Sequence, residues 1–449
     1  MPTLEGVFFI PAAVHFFFFR PRLLFPLLIL STVFEASSII SSGSVGIQPY
    51  YCVAILFVIR FSVRKPSSLN KEDLPGRPTF IKLWVAFCIV SVISAISLPL
   101  LFQGTPVFDG KRTIEDNVLS GGVPLHFQSG NIVQPAFLIL NVLVVITAAR
   151  QRHSIDKAQR MFMWSAGLII AIVLLQVAFF GLGIPFPNQL INNNPGYGLV
   201  NLLDSGSIRP SGSFTEPSAL GAVLAALVSA FLWKFLAHGT GIVVAGVAAV
   251  ACLLAASTSA LAALLIVFIL LLVAYPVVRL PWFIRLNRLK RISVIFGFLG
   301  ASTLLTTVPS IRAILLSQTI EKSESVSAFA RFGADAFAFN LLPRTYGLGV
   351  GLGSNRPSSF LAAILSQVGI IGFALFCCAA WSTLWNLPKA DRWIGVAAFG
   401  LLIAMAFGLP DLSFPFLWIL FALSAQSKAS AQTQPDKESC ILRPAQESS

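Results

Sequence analysis

Residues 209–221 read RPSGSFTEPSALG and run straight into an apolar stretch that begins at Pro217. An arginine, a glutamate, two prolines and two glycines thus stand at the entrance of a greasy segment. The whole chain shares that character. It has 449 residues, 56% hydrophobic and 11% charged, with 39 Phe. A soluble core of this size needs far more surface charge. Its apolar runs reach the length of about 20 residues that a membrane-crossing helix requires. They do not alternate as barrel strands do. The expected fold is therefore all-α, a polytopic bundle of membrane helices.

Working outward from 217, about twelve spans are expected: 22–41, 46–63, 81–103, 132–149, 161–183, 217–236, 240–256, 259–278, 292–308, 358–380, 393–409 and 412–425. Residues 7–19 are apolar but short, and no small-residue cleavage site follows them. Residues 1–425 form one membrane domain, and the polar residues 426–449 read as a disordered tail. Basic residues collect in alternate loops: Arg60, Arg64, Lys65, Lys71, Arg77 and Lys82; then Arg150, Arg152, Lys157 and Arg160; then Arg279, Arg285, Arg288, Lys290 and Arg291. By the positive-inside rule these loops are cytoplasmic, which places both termini inside. The net charge of +13 is then an orientation signal and not a nucleic-acid footprint. The six cysteines form no disulfide framework or CxxC spacing, and the four histidines have no metal-ligand spacing.

Three long outer loops remain, 104–131, 184–216 and 309–357. The last two carry Arg209, Arg312, Lys322, Arg331, Arg344 and Arg356 against the charge trend, which points to an external anion site. The mouths look alike. Arg209-Pro210-Ser211 and Glu216-Pro217-Ser218 precede one helix, and Arg356-Pro357-Ser358-Ser359 precede another. Proline is at home in a first helical turn, Ser213 and Glu216 have capping-box spacing, and Thr215 could cap directly. Helix N-termini favour phosphate, and arginine clamps it with two parallel bonds. The run YGLGVGLGSN, residues 346–355, lacks the spacing of a nucleotide loop; it reads as a loop whose backbone, at Gly349, Gly351 and Ser354, approaches a ligand. Ser257-Thr258-Ser259 is a tight outer turn, Asp411 caps the last one, and Glu35 is an acid within the first span.

The pattern R-x-x-G-x-F-x-E-P-S-x-x-G, the later P-R…G-x-G-x-G-S run and the following Gly369–Gly372 segment resemble the O-antigen polymerase/ligase superfamily, and most closely the Wzy-type exopolysaccharide polymerases. The resemblance covers roughly residues 20–425, with its sharp part in two short motifs. It implies a GT-C-like bundle in the bacterial inner membrane. It implies a glycosyltransferase that joins repeat units on undecaprenyl diphosphate, with membrane lipid, a chain-length regulator and a flippase as partners, and neither cofactor nor nucleic acid. Arg209 and Glu216 are then the catalytic candidates; Arg331, Arg344, Arg356, Gly349, Gly351 and Ser354 are the diphosphate and glycan candidates. The chain departs from the family in having eleven residues between Arg209 and Gly221, and no histidine in 309–357, where ligases carry one. His126 lies in another outer loop. A ligase, or a flippase built on internal repeats, is the alternative.

Overall fold

The computed structural model describes residues 3–42, 45–62, 79–110, 112–151, 155–195, 209–255, 257–278 and 326–431. The expected span 292–308, Arg312 and Lys322 lie outside them. The described residues are mostly helical: α1 (Leu4–Phe18), α2 (Leu24–Ser31), α3 (Pro49–Ser62), α4 (Thr79–Leu101), α5 (Ile114–Ser120), α6 (Gly130–Ala149), α7 (Ile155–Gly181), α8 (Asn188–Ile191), α9 (Pro217–His238), α10 (Ile242–Leu254), α11 (Thr258–Val278), α12 (Val326–Arg344), α13 (Phe360–Leu384), α14 (Arg392–Ala406) and α15 (Pro415–Ala431). Five of them, α4, α6, α7, α9 and α13, are long and apolar enough to cross a membrane. Two short antiparallel hairpins accompany them, β1 (Ile40–Ser42) with β2 (Val45–Ile47), and β3 (Pro106–Val107) with β4 (Val123–Pro124).

The α9 helix is the most enclosed of the long helices and packs against α10, α11 and α14. Small residues let its neighbours come close. A Cβ on Gly221 would lie 2.5 Å from Ser257 Cβ, and one on Gly400 of α14 would lie 2.5 Å from Ser229 Oγ. A second centre joins α4, α13 and α15. There Trp84 sits 5.1 Å from Trp418 and 4.9 Å from Phe421, ring centre to ring centre, and its indole N–H donates to Thr383 Oγ1 at 2.9 Å. A buried indole needs such a partner.

Two expectations are corrected. The span 22–41 is not one helix. The α2 helix stops at Ser31, where Ser31 Oγ and Thr32 Oγ1 bond back to Leu28 O and Ile29 O. The apolar residues after it are buried in a loop and hairpin rather than in a continuous helix. The short run 7–19 does form a helix, α1, capped by Thr3, whose Oγ1 accepts from Gly6 N. Thr3 also meets Ser38 and Ile39, in the segment that reaches the entrance of α9. Finally, the tail does not begin at 426. The α15 helix continues to Ala431, because Gln426 Nε2 donates to Gln151 O at 2.6 Å and Lys428 Nζ donates to Ser382 O and Trp385 O at 2.7 Å. Lys428 thereby caps the C-terminus of α13.

Candidate functional site

The entrance of α9 is held by distant parts of the chain. Gly212 N donates to Gln176 Oε1 of α7 at 2.7 Å, and Asn192 Nδ2 donates to Gly212 O at 3.0 Å. Thr215 N donates to Glu35 Oε2 at 2.8 Å, and Ala36 N donates to Ser213 O at 3.0 Å. The Ser213 hydroxyl donates to Val33 O, so the expected capping box does not form. Glu216 is the N-cap by backbone geometry, with no side-chain capping bond. Its exposed carboxylate accepts from Ser218 Oγ at 2.8 Å. Buried Phe214 anchors the loop, leaving Glu216 presented outward at the head of a fixed helix.

Arg209 is half-buried and donates through Nη2 to Ala255 O at 3.3 Å, at the C-terminus of α10. Burial first and the charge of Arg331 second lower its pKa to about 10, and Glu216 opposes both. Three charged groups from the α9 entrance and α12 thus share one electrostatic neighbourhood. Two guanidinium groups held within reach of one another mark a place where an anion is favoured.

The second mouth is built differently. Asp335 of α12 accepts at Oδ1 from Ser358 N at 2.9 Å and Ser359 N at 3.1 Å, and Ser359 Oγ accepts from Ala362 N at 3.4 Å. The head of α13 is therefore already occupied by a carboxylate of the protein itself. It does not offer the bare N–H cradle that the sequence led us to expect. Arg356 is exposed and lies along Gly110, where a Cβ would come 3.2 Å from Arg356 Cδ. Arg344 is in the last turn of α12, about 20 Å along the axis from Arg331, so the two do not meet.

The glycine run is a packing device. Gly347, Gly349, Gly351 and Gly353 all have positive φ. Opposite them α13 breaks at Gly369, with φ 70° and ψ −172°. Val350 N and Gly351 N donate to Ser366 O and Gln367 O at 2.8 and 2.9 Å, Gly349 N to Thr345 Oγ1 at 3.1 Å, and Gly353 N to Gln367 Oε1 at 3.0 Å. A Cβ at Gly349 would fall 2.8 Å from Ser366 O, and one at Gly351 2.8 Å from Ser94 O. Gly349 and Gly351 are therefore corrected from ligand-facing to internal. Their N–H groups satisfy carbonyls and a hydroxyl inside the protein, including those freed by the break. Ser354 is buried with its hydroxyl accepting from Asn131 Nδ2 at 2.7 Å, yet it borders a cleft.

That cleft, about 260 Å³, lies between the β3–β4 region, the start of α6, the end of the glycine run and the 410–412 turn. Arg356, Asp411, Asp109, Gln128 and Gln134 line it. Asp411 Oδ1 accepts from Ser413 N at 2.8 Å. Burial raises the Asp411 carboxyl, while its own Ser413 bond and the charge of Arg356 lower it. Nearby Glu35 is pushed up to about 8, chiefly by burial; the Thr215 bond opposes this, and Asp411 and Glu216 add to it. Arg209, Arg331 and Glu216 are thus linked through Glu35 and Asp411 to the cleft of Arg356. Sequence reasoning missed Gln128 and Gln134; the only signal was two amides at the head of an apolar run. The His126 ring pairs with Pro124 O at 3.0 Å and does not line the cleft. No group of three metal-ligating side chains occurs among the described residues. No protein-family model matches the chain, and a search of curated proteins finds no match.

Proposed function

We propose that this chain is a glycosyltransferase of the bacterial inner membrane that polymerises lipid-linked oligosaccharide repeat units on the outer face. The donor is a glycan on undecaprenyl diphosphate, and the acceptor is a hydroxyl of a single lipid-linked unit. The observation that supports this reading is the shared electrostatic neighbourhood of Arg209 and Glu216 at the α9 entrance and Arg331 of α12, linked through Glu35 and Asp411 to a polar cleft. Diphosphate is a good leaving group, so the reaction needs charge stabilisation more than strong acid help. Arg209 and Arg331 meet the charge that grows on the diphosphate as the anomeric C–O bond breaks. Glu216 takes the proton of the attacking hydroxyl, and the new bond forms with inversion. The apolar helix faces seat the two polyprenyl tails.

The test is to delete the gene and analyse lipid-linked glycans by mass spectrometry, with sidedness read by enzymatic labelling. Accumulated single units on the outer face, without polymer, are expected. Full-length lipid-linked polymer would point to a ligase instead. Units trapped on the inner face would point to a flippase and would overturn the role given to the arginines.

A further inference from the structure

We propose that the cleft between Arg356 and Asp411 is a subsite for one uncharged pyranose ring, separate from the diphosphate contacts of Arg209 and Arg331. Its size is the first argument. At about 260 Å³ it lies below the range of about 300–1,000 Å³ typical of drug-sized ligands, a size that suits one ring.

Charge is the second argument. Among the described residues of the lining, Asp109 and Asp411 face one guanidinium, Arg356, so the described lining carries no net positive charge and a diphosphate would meet two carboxylates at close range. Hydroxyl groups meet no such penalty. They donate to carboxylate oxygens and accept from a guanidinium, and they do both with a primary amide. Gln134 lines the cleft, and its Oε1 accepts from Ser413 Oγ at 2.8 Å, which fixes the flip of the amide and leaves its two N–H groups as donors. Gln128 donates through Nε2 to Gly353 O at 3.3 Å and is fixed in the same way.

The floor is the third argument. Ile364, Val368 and Leu412 are apolar and line the same space. A pyranose has an apolar C–H face and a rim of hydroxyls, and the cleft presents an apolar floor beneath a polar rim. The floor residues Ile364 and Val368 sit on the first segment of α13, which the break at Gly369 and the glycine run hold in place. Assigning the ring to the acceptor repeat unit rests on the polymerase reading; the binding of a neutral sugar does not.

The probes are methyl β-D-glucopyranoside, methyl β-D-galactopyranoside and methyl α-D-mannopyranoside, each added to the full chain in nanodiscs. Saturation-transfer NMR is the readout. At least one glycoside should receive saturation, strongest at its C–H face. The effect should fall about fivefold in Gln134→Met and in Gln128→Ala, the loss of one hydrogen bond of about 1 kcal/mol. Equimolar pyrophosphate should leave it unchanged. Two variants at separate positions guard against one failing to fold, and size-exclusion profiles check each. Displacement by pyrophosphate, no saturation of any of the three, or unchanged saturation in both well-folded variants would each overturn the subsite. Glycan accumulation in the deletion strain is read independently, so a failed subsite with accumulated repeat units leaves the polymerase reading standing. Sugar binding without accumulation leaves the subsite standing and removes the polymerase.

Discussion

Replacing Glu35 with glutamine separates its two jobs, accepting a hydrogen bond and resisting ionisation. Glu35 is buried after α2, and its carboxyl group accepts the Thr215 amide at 2.8 Å. Its pKa rises from 4.5 to about 8 in the folded chain. The folded state thus favours the neutral form, and the associated stability is fully present below pH 4.5. It declines as pH rises above 4.5 and is gone beyond about 8. Between pH 7 and pH 9 the solvated side chain continues to gain from ionisation while the buried one follows only above 8. The difference costs about 1.4 kcal/mol, a tenfold rise in opening of the α9 entrance. Hydrogen exchange on a peptide covering 209–221 reads this directly. After correction for the intrinsic pH dependence, wild-type protection should fall about tenfold over those two units. Glu35→Gln keeps an amide oxygen for Thr215 N and cannot ionise in either state, so its protection should already exceed that of wild type at pH 7 and stay level to pH 9. Glu35→Ala should show the same level profile, about 1–3 kcal/mol below Glu35→Gln, because a buried donor is left bare. Parallel curves for wild type and Glu35→Gln between pH 7 and 9 would refute the reasoning.

Other outcomes follow from the same geometry. Arg209→Lys should reduce polymer at least tenfold in a polymer-length assay, since an ammonium cannot replace a bidentate guanidinium, with the protein still expressed. Gly369→Ala should destabilise the chain by several kcal/mol, seen as loss of a monodisperse detergent-solubilised peak, because φ is +70° and a Cβ would strike Gly347 O. Asp335→Ala should cost about 1–3 kcal/mol in thermal unfolding by baring Ser358 N and Ser359 N, and Asp335→Asn should recover most of it.

The long helices were legible because a run such as 132–149 or 217–236 leaves a chain no alternative in lipid. Their observed bounds, Gly130–Ala149 and Pro217–His238, differ by only a few residues. The first span misled because apolar composition does not distinguish burial in lipid from burial in protein. Residues 32–42 set Val33, Phe34, Ala36, Ile39 and Ile40 among Thr32, Glu35 and four serines, and their backbone bonds go to distant parts of the chain, Ala36 N to Ser213 O and Ile39 N to Ile47 O beside the hairpin pairing. The α12 helix hides inside an expected loop, because its alanine-rich stretch with Arg331 and Asp335 is too polar to read as a span. Charge against the trend singled out Arg209, Arg331 and Arg356; the structure couples the first two electrostatically and sets the third in the cleft. Which glycines faced inward depended on the break at Gly369, a contact across the fold that local spacing does not encode.

The break in α13 has a further consequence. In an unbroken helix, adding or removing one residue near the start rotates every later side chain by about 100° and would turn the lipid-facing pattern of the second half out of phase. The φ reversal at Gly369 is a rotational reset. The segment Phe360–Val368, which carries the cleft floor, and the segment Ile370–Leu384 keep separate phases. The recognition surface can therefore be rewritten, in length as well as in side chains, while the membrane half stays in register with α4 and α15.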